Sequence, residues 1–190
     1  YFQDQIDVSD RLKLMIGGRH DTFDITVADI KSGTSQSRED KEFSPRAGVI
    51  FKPSENVSWY YSYSESFLPR SGEQYKKLTA SAAALDPDVY ESSEFGVKIA
   101  ISESLSFAAA YFDSEQTIAT RDASGEGAEI VGLQVDGLEL ELKGKVNDKM
   151  NLVVGYSSMD GKTSSGGEPR EIPEHTLSLF ATYEVSDKFG

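Results

Sequence analysis

The stretch FLPRSGEQYKKL, Phe67 to Leu78, sets Arg70, Lys76 and Lys77 beside Phe67 and Tyr75. Guanidinium forks and ammonium groups bind anions, and aromatic rings attract cations. The combination suits a small anionic or aromatic ligand. Arg121 in TRDASGEGAE is a weaker candidate of the same kind, as is Arg170 in DGKTSSGGEPREIP. The competing reading is that all of these side chains only solvate loops. Other chemistry finds no footing. His20 and His175 fall in separate segments without a nucleophile motif, so no catalytic residue is assigned. Two histidines among scattered carboxylates, with no cysteine, make no metal-ligand pattern. SGEGAE reads as a flexible loop, not as a phosphate cradle, and no cofactor is expected. N-V-S at Asn56 matches a glycosylation acceptor by chance, at a turn-to-strand junction.

Composition narrows the class of protein that must position these side chains. With 38% hydrophobic residues in 190, the chain can bury or cover apolar surface and is expected to fold as one domain. A net charge of −13 excludes nucleic acid as a natural partner, because phosphate binding needs clustered Lys and Arg. No run of apolar residues is long enough for a transmembrane helix. The N-terminus YFQDQIDVSD lacks a basic stretch followed by an apolar one, so no signal peptide is expected.

Alternation with period two dominates the chain, the pattern of a strand with two different faces. In ENVSWYYSYSESF, Val57, Trp59, Tyr61 and Tyr63 share one face, and Tyr60 shares the other with the serines. The same split recurs through Leu12–Ile16, Phe43–Phe51, Phe95–Ile101, Leu105–Tyr111, Leu138–Leu142, Leu152–Tyr156 and Leu177–Tyr183. With a further strand near Tyr1 to Val8, the pattern predicts about nine strands, several of them long. Short connections (VSDR, KPSEN, ISES, VNDK, VSDK) alternate with longer polar ones (DIKSGTSQSRED, Glu65 to Val89, TRDASGEGAE, DGKTSSGGEPREIP). Within the second of these, EQYKKLTASAAALD is read as a loop with one or two helical turns. The result is an all-β antiparallel meander with tight turns at one end and long loops at the other.

Three features favour lipid over a protein core as the solvent of the apolar face. The strands are long, the turn asymmetry is systematic, and aromatics gather near strand ends. Trp59, Tyr61, Tyr63, Phe107, Tyr111, Tyr156 and Tyr183 are therefore expected to face lipid, several at the headgroup boundary. Arg11, Lys13, Arg46, Lys52, Glu94, Lys98, Glu139, Glu141 and Lys143 all take the opposite parity. That segregation is what a midplane penalty of about 2–4 kcal/mol for a lipid-facing cation would produce.

At this point the sequence resembles the barrel of TonB-dependent outer-membrane receptors, in particular siderophore receptors. The matching stretches are YFQDQIDVSDRLKLMIGGRHDTF, FSPRAGVIFKPSENVSWYYSYSESFLPRSG, LDPDVYESSEFGVKIAISESLSFAAAYFDSEQT, VDGLELELKGKVNDKMNLVVGYS and IPEHTLSLFATYEV, in the family's order. His20 departs from the pattern, standing where the family more often has Tyr. The resemblance implies a 22-stranded transmembrane β-barrel closed around a plug. It also implies outer-membrane residence in bacteria, energised uptake of a ferric siderophore or similar small ligand, and contact with TonB through the plug. On this reading residues 1–190 are part of the barrel domain, with the plug and remaining strands outside the chain, and no enzymatic activity is expected. The alternatives are a receptor or porin for another nutrient, such as cobalamin or a glycan, and a soluble β-sandwich binding module.

Overall fold

A computed structural model describes residues 1–69, 85–121, 127–170 and 172–186, with 119–121 and 127–131 described by their backbone. Nine strands follow in chain order: β1 (Phe2–Ser9), β2 (Leu12–Asp29), β3 (Thr34–Ser54), β4 (Val57–Leu68), β5 (Asp88–Ala100), β6 (Leu105–Arg121), β7 (Gly127–Asn147), β8 (Met150–Thr163) and β9 (His175–Tyr183). They form one antiparallel sheet whose spatial order is the chain order. The predicted meander of nine long strands is the architecture found, and β3 and β7 each run 21 residues.

At the lower end three of the short turns are each held by one side chain. Ser9 Oγ accepts from the amides of Arg11 (3.3 Å) and Leu12 (3.1 Å). Ser102 Oγ does the same for Ser104 (3.3 Å) and Leu105 (3.1 Å). Asn147 Oδ1 accepts from the Lys149 amide at 2.9 Å. These are the local side-chain bonds that make Ser and Asn turn residues.

At the upper end one expectation is corrected. DIKSGTSQSRED is not a long loop: β2 continues to Asp29, β3 resumes at Thr34, and only four residues turn between them. Asp29 Oδ1 caps the amides of Lys31 (2.9 Å) and Ser32 (3.2 Å), and Gly33 closes the turn at φ +68°. The polar flanks pair as strands, with Thr26 and Ser37 hydroxyls 2.9 Å apart across the ladder. TRDASGEGAE is shortened in the same way, since β6 reaches Arg121 and β7 starts at Gly127. The helical turns expected in EQYKKLTASAAALD lie outside the described residues, apart from its last two positions.

Among the described residues the sheet has no second layer. Strands pack against their chain neighbours, and among the described residues no large side chain is fully buried. The β-sandwich alternative fails on this point, because Leu14, Trp59, Phe107 and Leu140 share one open face instead of a core between sheets. Trp59 is 40% exposed, Phe95 52% and Leu177 71%. A continuous apolar surface of this kind is stable only against an apolar partner.

Gly144 shows how closely the backbone is packed at the β6–β7 hairpin. It holds φ +133°, and a Cβ there would stand 1.8 Å from the Ser104 carbonyl oxygen. Gly155 lacks both constraints; a Cβ there meets only the Ser178 hydroxyl. In the full receptor, Gly144→Ala is expected to cost about 1–3 kcal/mol from backbone strain alone. It should lower the temperature at which the folded band is lost in heat-modifiability electrophoresis. Gly155→Ala should leave that temperature nearly unchanged.

Candidate functional site

Register decides what each face carries. On the outer face, cross-strand rows join Leu14–Val49–Tyr61–Phe95–Tyr111–Leu138 and Phe51–Trp59–Val97–Ala109–Leu140–Tyr156. Trp59 and Phe95 stack at 5.6 Å between centroids. The tyrosines at the top of this apolar band turn their hydroxyls to polar groups. Tyr63 donates to Glu65 at 2.5 Å, Tyr111 donates to Asp136 at 3.0 Å, and Tyr156 lies 3.1 Å from His175 Nδ1. Ring below and hydroxyl above is the posture of an aromatic at a boundary between oil and water.

The boundary is also written along single strands. In β2, Leu12, Leu14 and Ile16 lie on the outer face, whereas Phe23, Ile25 and Val27 lie on the inner one, with Thr22, Asp24 and Thr26 outside. The β2–β3 register runs unbroken through this switch, so no bulge produces it. β7 repeats it: Leu138, Leu140 and Leu142 face out, whereas Leu133 and Val135 face in, again without a register shift against β8 over that span. The outer solvent therefore changes from apolar to aqueous near Gly18 on β2 and Gly137 on β7. Just above the band stand Glu65, Glu91, Asp113, Glu115, Asp136 and Asp160, on the outer-face register. Asp4 departs from the segregation: it takes the outer parity on edge strand β1, opposite Ile16.

The inner face is polar and concave. A recess of about 370 Å³ is lined by Tyr60, Glu94, Ala110, Glu139, Ser157 and Thr176, among others, from strands β4 to β9. Side chains of six successive strands converge on one recess only on the hollow side of a curved sheet. Tyr60 covers Gly96 directly across the ladder, and its hydroxyl donates to Glu94. Phe112 covers Gly137 in the same way on the next pair but one. Rings that shield facing glycines hold register without bulky opposite partners.

A second recess, about 540 Å³, opens higher on the inner wall of β2–β4, around Arg19, Asp21, Phe23, Ser44, Arg46 and Ser64. Arg19 pairs with Asp21 at 2.7 Å, and Arg46 donates to Gln3 at 3.3 Å. Two guanidinium groups and a phenyl ring thus share one open mouth, a set able to hold an anionic or aromatic ligand. Phe67, a sequence candidate, borders this recess near the top of β4, although its register position is on the outer face, opposite Val89. Arg70, Tyr75, Lys76 and Lys77 lie outside the described residues. Arg121 ends β6 with its side chain undescribed, and Arg170 borders a separate recess with Glu168, Glu174 and His175 on the β8–β9 connection. Among the described residues no group of His, Asp or Glu is arranged to hold a metal. Sequence reading placed Arg46 on the inner face but singled out neither it nor Arg19 as a ligand group. They are diagonal neighbours on β2 and β3, Arg19 opposite Ser44 and Arg46 opposite Gly17, a relation that only the register reveals.

A single curved sheet, apolar outside within a bounded band and charged inside, is a sector of a membrane-spanning β-barrel. The chain belongs to the TonB dependent receptor-like, beta-barrel family, whose model matches residues 1–190. It is 29% identical over 98% of its length to the ferrichrome outer membrane transporter/phage receptor of Escherichia coli, covering 25% of that protein. It is 26% identical over 97% of its length to the probable TonB-dependent siderophore receptor PiuA of Acinetobacter baumannii, covering 29% of it. The crystal structure of that siderophore receptor superposes with a TM-score of 0.82 at 25% identity, over 97% of this chain and 30% of that one. The alcaligin receptor FauA of Bordetella pertussis shares the fold, with a TM-score of 0.81 at 22% identity. The chain thus spans about a quarter to a third of these relatives, and the barrel it belongs to resides in the outer membrane.

The two faces can be tested with one substitution each at the same height. Leu140→Arg puts a cation on the outer face and is expected to cost about 2–4 kcal/mol. Ala110→Arg lies on the inner wall directly opposite Glu139 and should be tolerated. Yield of folded receptor in purified outer membranes should fall for the first variant and hold for the second.

Proposed function

We propose that this chain is the wall of a TonB-dependent receptor for a ferric siderophore, part of a 22-stranded barrel whose remaining strands and plug lie elsewhere in the protein. The recess holding Arg19, Arg46 and Phe23 is the observation that carries this reading, because it gives a watery mouth the groups that grip an anionic or aromatic chelate. The relatives' names support it: they are receptors or transporters for ferrichrome, ferrioxamine and pyoverdine. On this reading Trp59, Tyr61, Tyr63, Phe107, Tyr111, Tyr156 and Tyr183 contact outer-membrane lipid. Phe67, Arg70, Tyr75, Lys76, Lys77 and Arg121 join the ligand surface from the upper loops, and contact with TonB is made through the plug. The protein moves its ligand without chemically changing it.

The test uses the full receptor in cells stripped of their own siderophore receptors. Energised cells should take up radioactive iron from at least one ferric siderophore, and uptake should stop when TonB is deleted. A charge-assisted bond contributes about 1.5–3 kcal/mol. Arg19→Gln with Arg46→Gln should therefore weaken surface binding of that chelate by about tenfold or more. Absence of TonB-dependent uptake for every ferric siderophore offered would refute the receptor reading.

A further inference from the structure

Arg46 and Gln3 are two strands apart, yet their side chains meet. One inner-face row runs from Gln3 on β1 through Gly17 on β2 and Arg46 on β3 to Ser64 on β4. Neighbouring strands lie about 4.8 Å apart, so roughly 10 Å separates the backbones of β1 and β3. Arg46 Nη1 donates to Gln3 Oε1 at 3.3 Å, and its side chain crosses β2 at Gly17 to do so. Gly17 opens that passage. A Cβ there would stand 3.3 Å from Arg46 Cγ, 3.2 Å from Gln3 Cα and 2.8 Å from the Phe2 carbonyl oxygen.

The two arginines of the upper recess are thereby held in different ways. Arg19 places both Nε and Nη2 at 2.7 Å from Asp21 Oδ1, so a carboxylate offsets its charge. Arg46 is held by an amide, which fixes the guanidinium and leaves its charge whole. Its inner-face neighbours Gly17, Ser44, Gly48 and Ser64 are not ionisable, and no carboxylate stands diagonal to it on β2 or β4. Glu65 also borders the recess, but on the outer-face register and as acceptor of the Tyr63 hydroxyl. Glu42 stands further up, opposite Asp21.

We propose that Gln3 is a specificity-determining residue of this recess: across the gap at Gly17 it positions the Arg46 guanidinium without neutralising it, and so sets the preference between anionic and neutral ligands. The inference rests on the receptor reading above and adds to it a positioning residue that is not itself part of the recess wall. A carboxylate at position 3 would match the amide in size and accept the same bond. It would also turn Arg46 into a second ion pair like Arg19 with Asp21. An anionic ligand would then have to compete with a carboxylate for either arginine, whereas a neutral ligand has no charge to lose by the exchange.

The experiment measures binding of two iron-labelled probes to energy-poisoned cells that carry the full receptor and lack other siderophore receptors. The probes are a ferric tris-catecholate carrying three negative charges and a neutral ferric tris-hydroxamate. The wild type should bind the tris-catecholate more tightly. Gln3→Glu should weaken tris-catecholate binding at least about tenfold and change tris-hydroxamate binding by less than about twofold. With Arg46→Gln already in place, adding Gln3→Glu should weaken tris-catecholate binding by less than about threefold, because no guanidinium is left to neutralise. Four results overturn the proposal while leaving a receptor in place. They are tighter binding of the neutral chelate by the wild type, undiminished tris-catecholate binding in Gln3→Glu, equal weakening of both chelates by that substitution, and the same tenfold loss with and without Arg46. Failure of the wild type to bind either chelate is seen before any substitution is made, and it removes the receptor reading for both chelate classes and this proposal with it.

Discussion

An ion cannot sit cheaply in hydrocarbon, and that constraint organises the chain residue by residue. Because a strand offers its side chains alternately to two solvents, the constraint acts as a parity rule. Lys13, Arg46, Lys98, Glu139 and Glu141 obey it within the band, and the rule lapses where the outer solvent becomes water. The switch of apolar residues from outside to inside between Ile16 and Phe23 is the same rule with a new solvent across the sheet. A soluble sheet packed on a core would have kept its apolar face on one side from end to end.

The inner wall then has the freedom that the outer one lacks. The hollow side is shielded from hydrocarbon, so charge, ring and small residue can be distributed there for purposes other than stability. Backbone hydrogen bonds between neighbouring strands hold the wall regardless of what faces inward. This lets Arg19, Arg46 and Lys52 share one continuous sheet with Glu94, Glu139 and Glu141 on the same inner face. The rings of Tyr60 and Phe112, laid over Gly96 and Gly137, fix register where the wall would otherwise be bare.

Much of this was legible in the sequence because period two maps directly onto faces. Leu138, Leu140 and Leu142 against Glu139 and Glu141 admit one assignment, and Ser9, Ser102 and Asn147 mark turns by a local bond that needs no tertiary context. The upper hairpins were less readable for a physical reason. A strand bathed in water on its outer face, such as Thr34 to Lys41, has the composition of a loop. The recess around Arg19 and Arg46 depends on which residues stand opposite one another, and spacing within one strand cannot reveal that. The switch of parity along β2 was present in the letters throughout; it required reading the strand as immersed in two media.

The β2–β3 hairpin rises above the band as an uninterrupted ladder to a four-residue turn at Ile30–Gly33. From His20 to Asp29 it advances roughly 30 Å at about 3.3 Å per residue, measured along the strand. Such a mast keeps its tip far from the lipid surface without a flexible tether. A peptide epitope grafted there would be held at a fixed height above the apolar band, while the wall beneath it kept its shape.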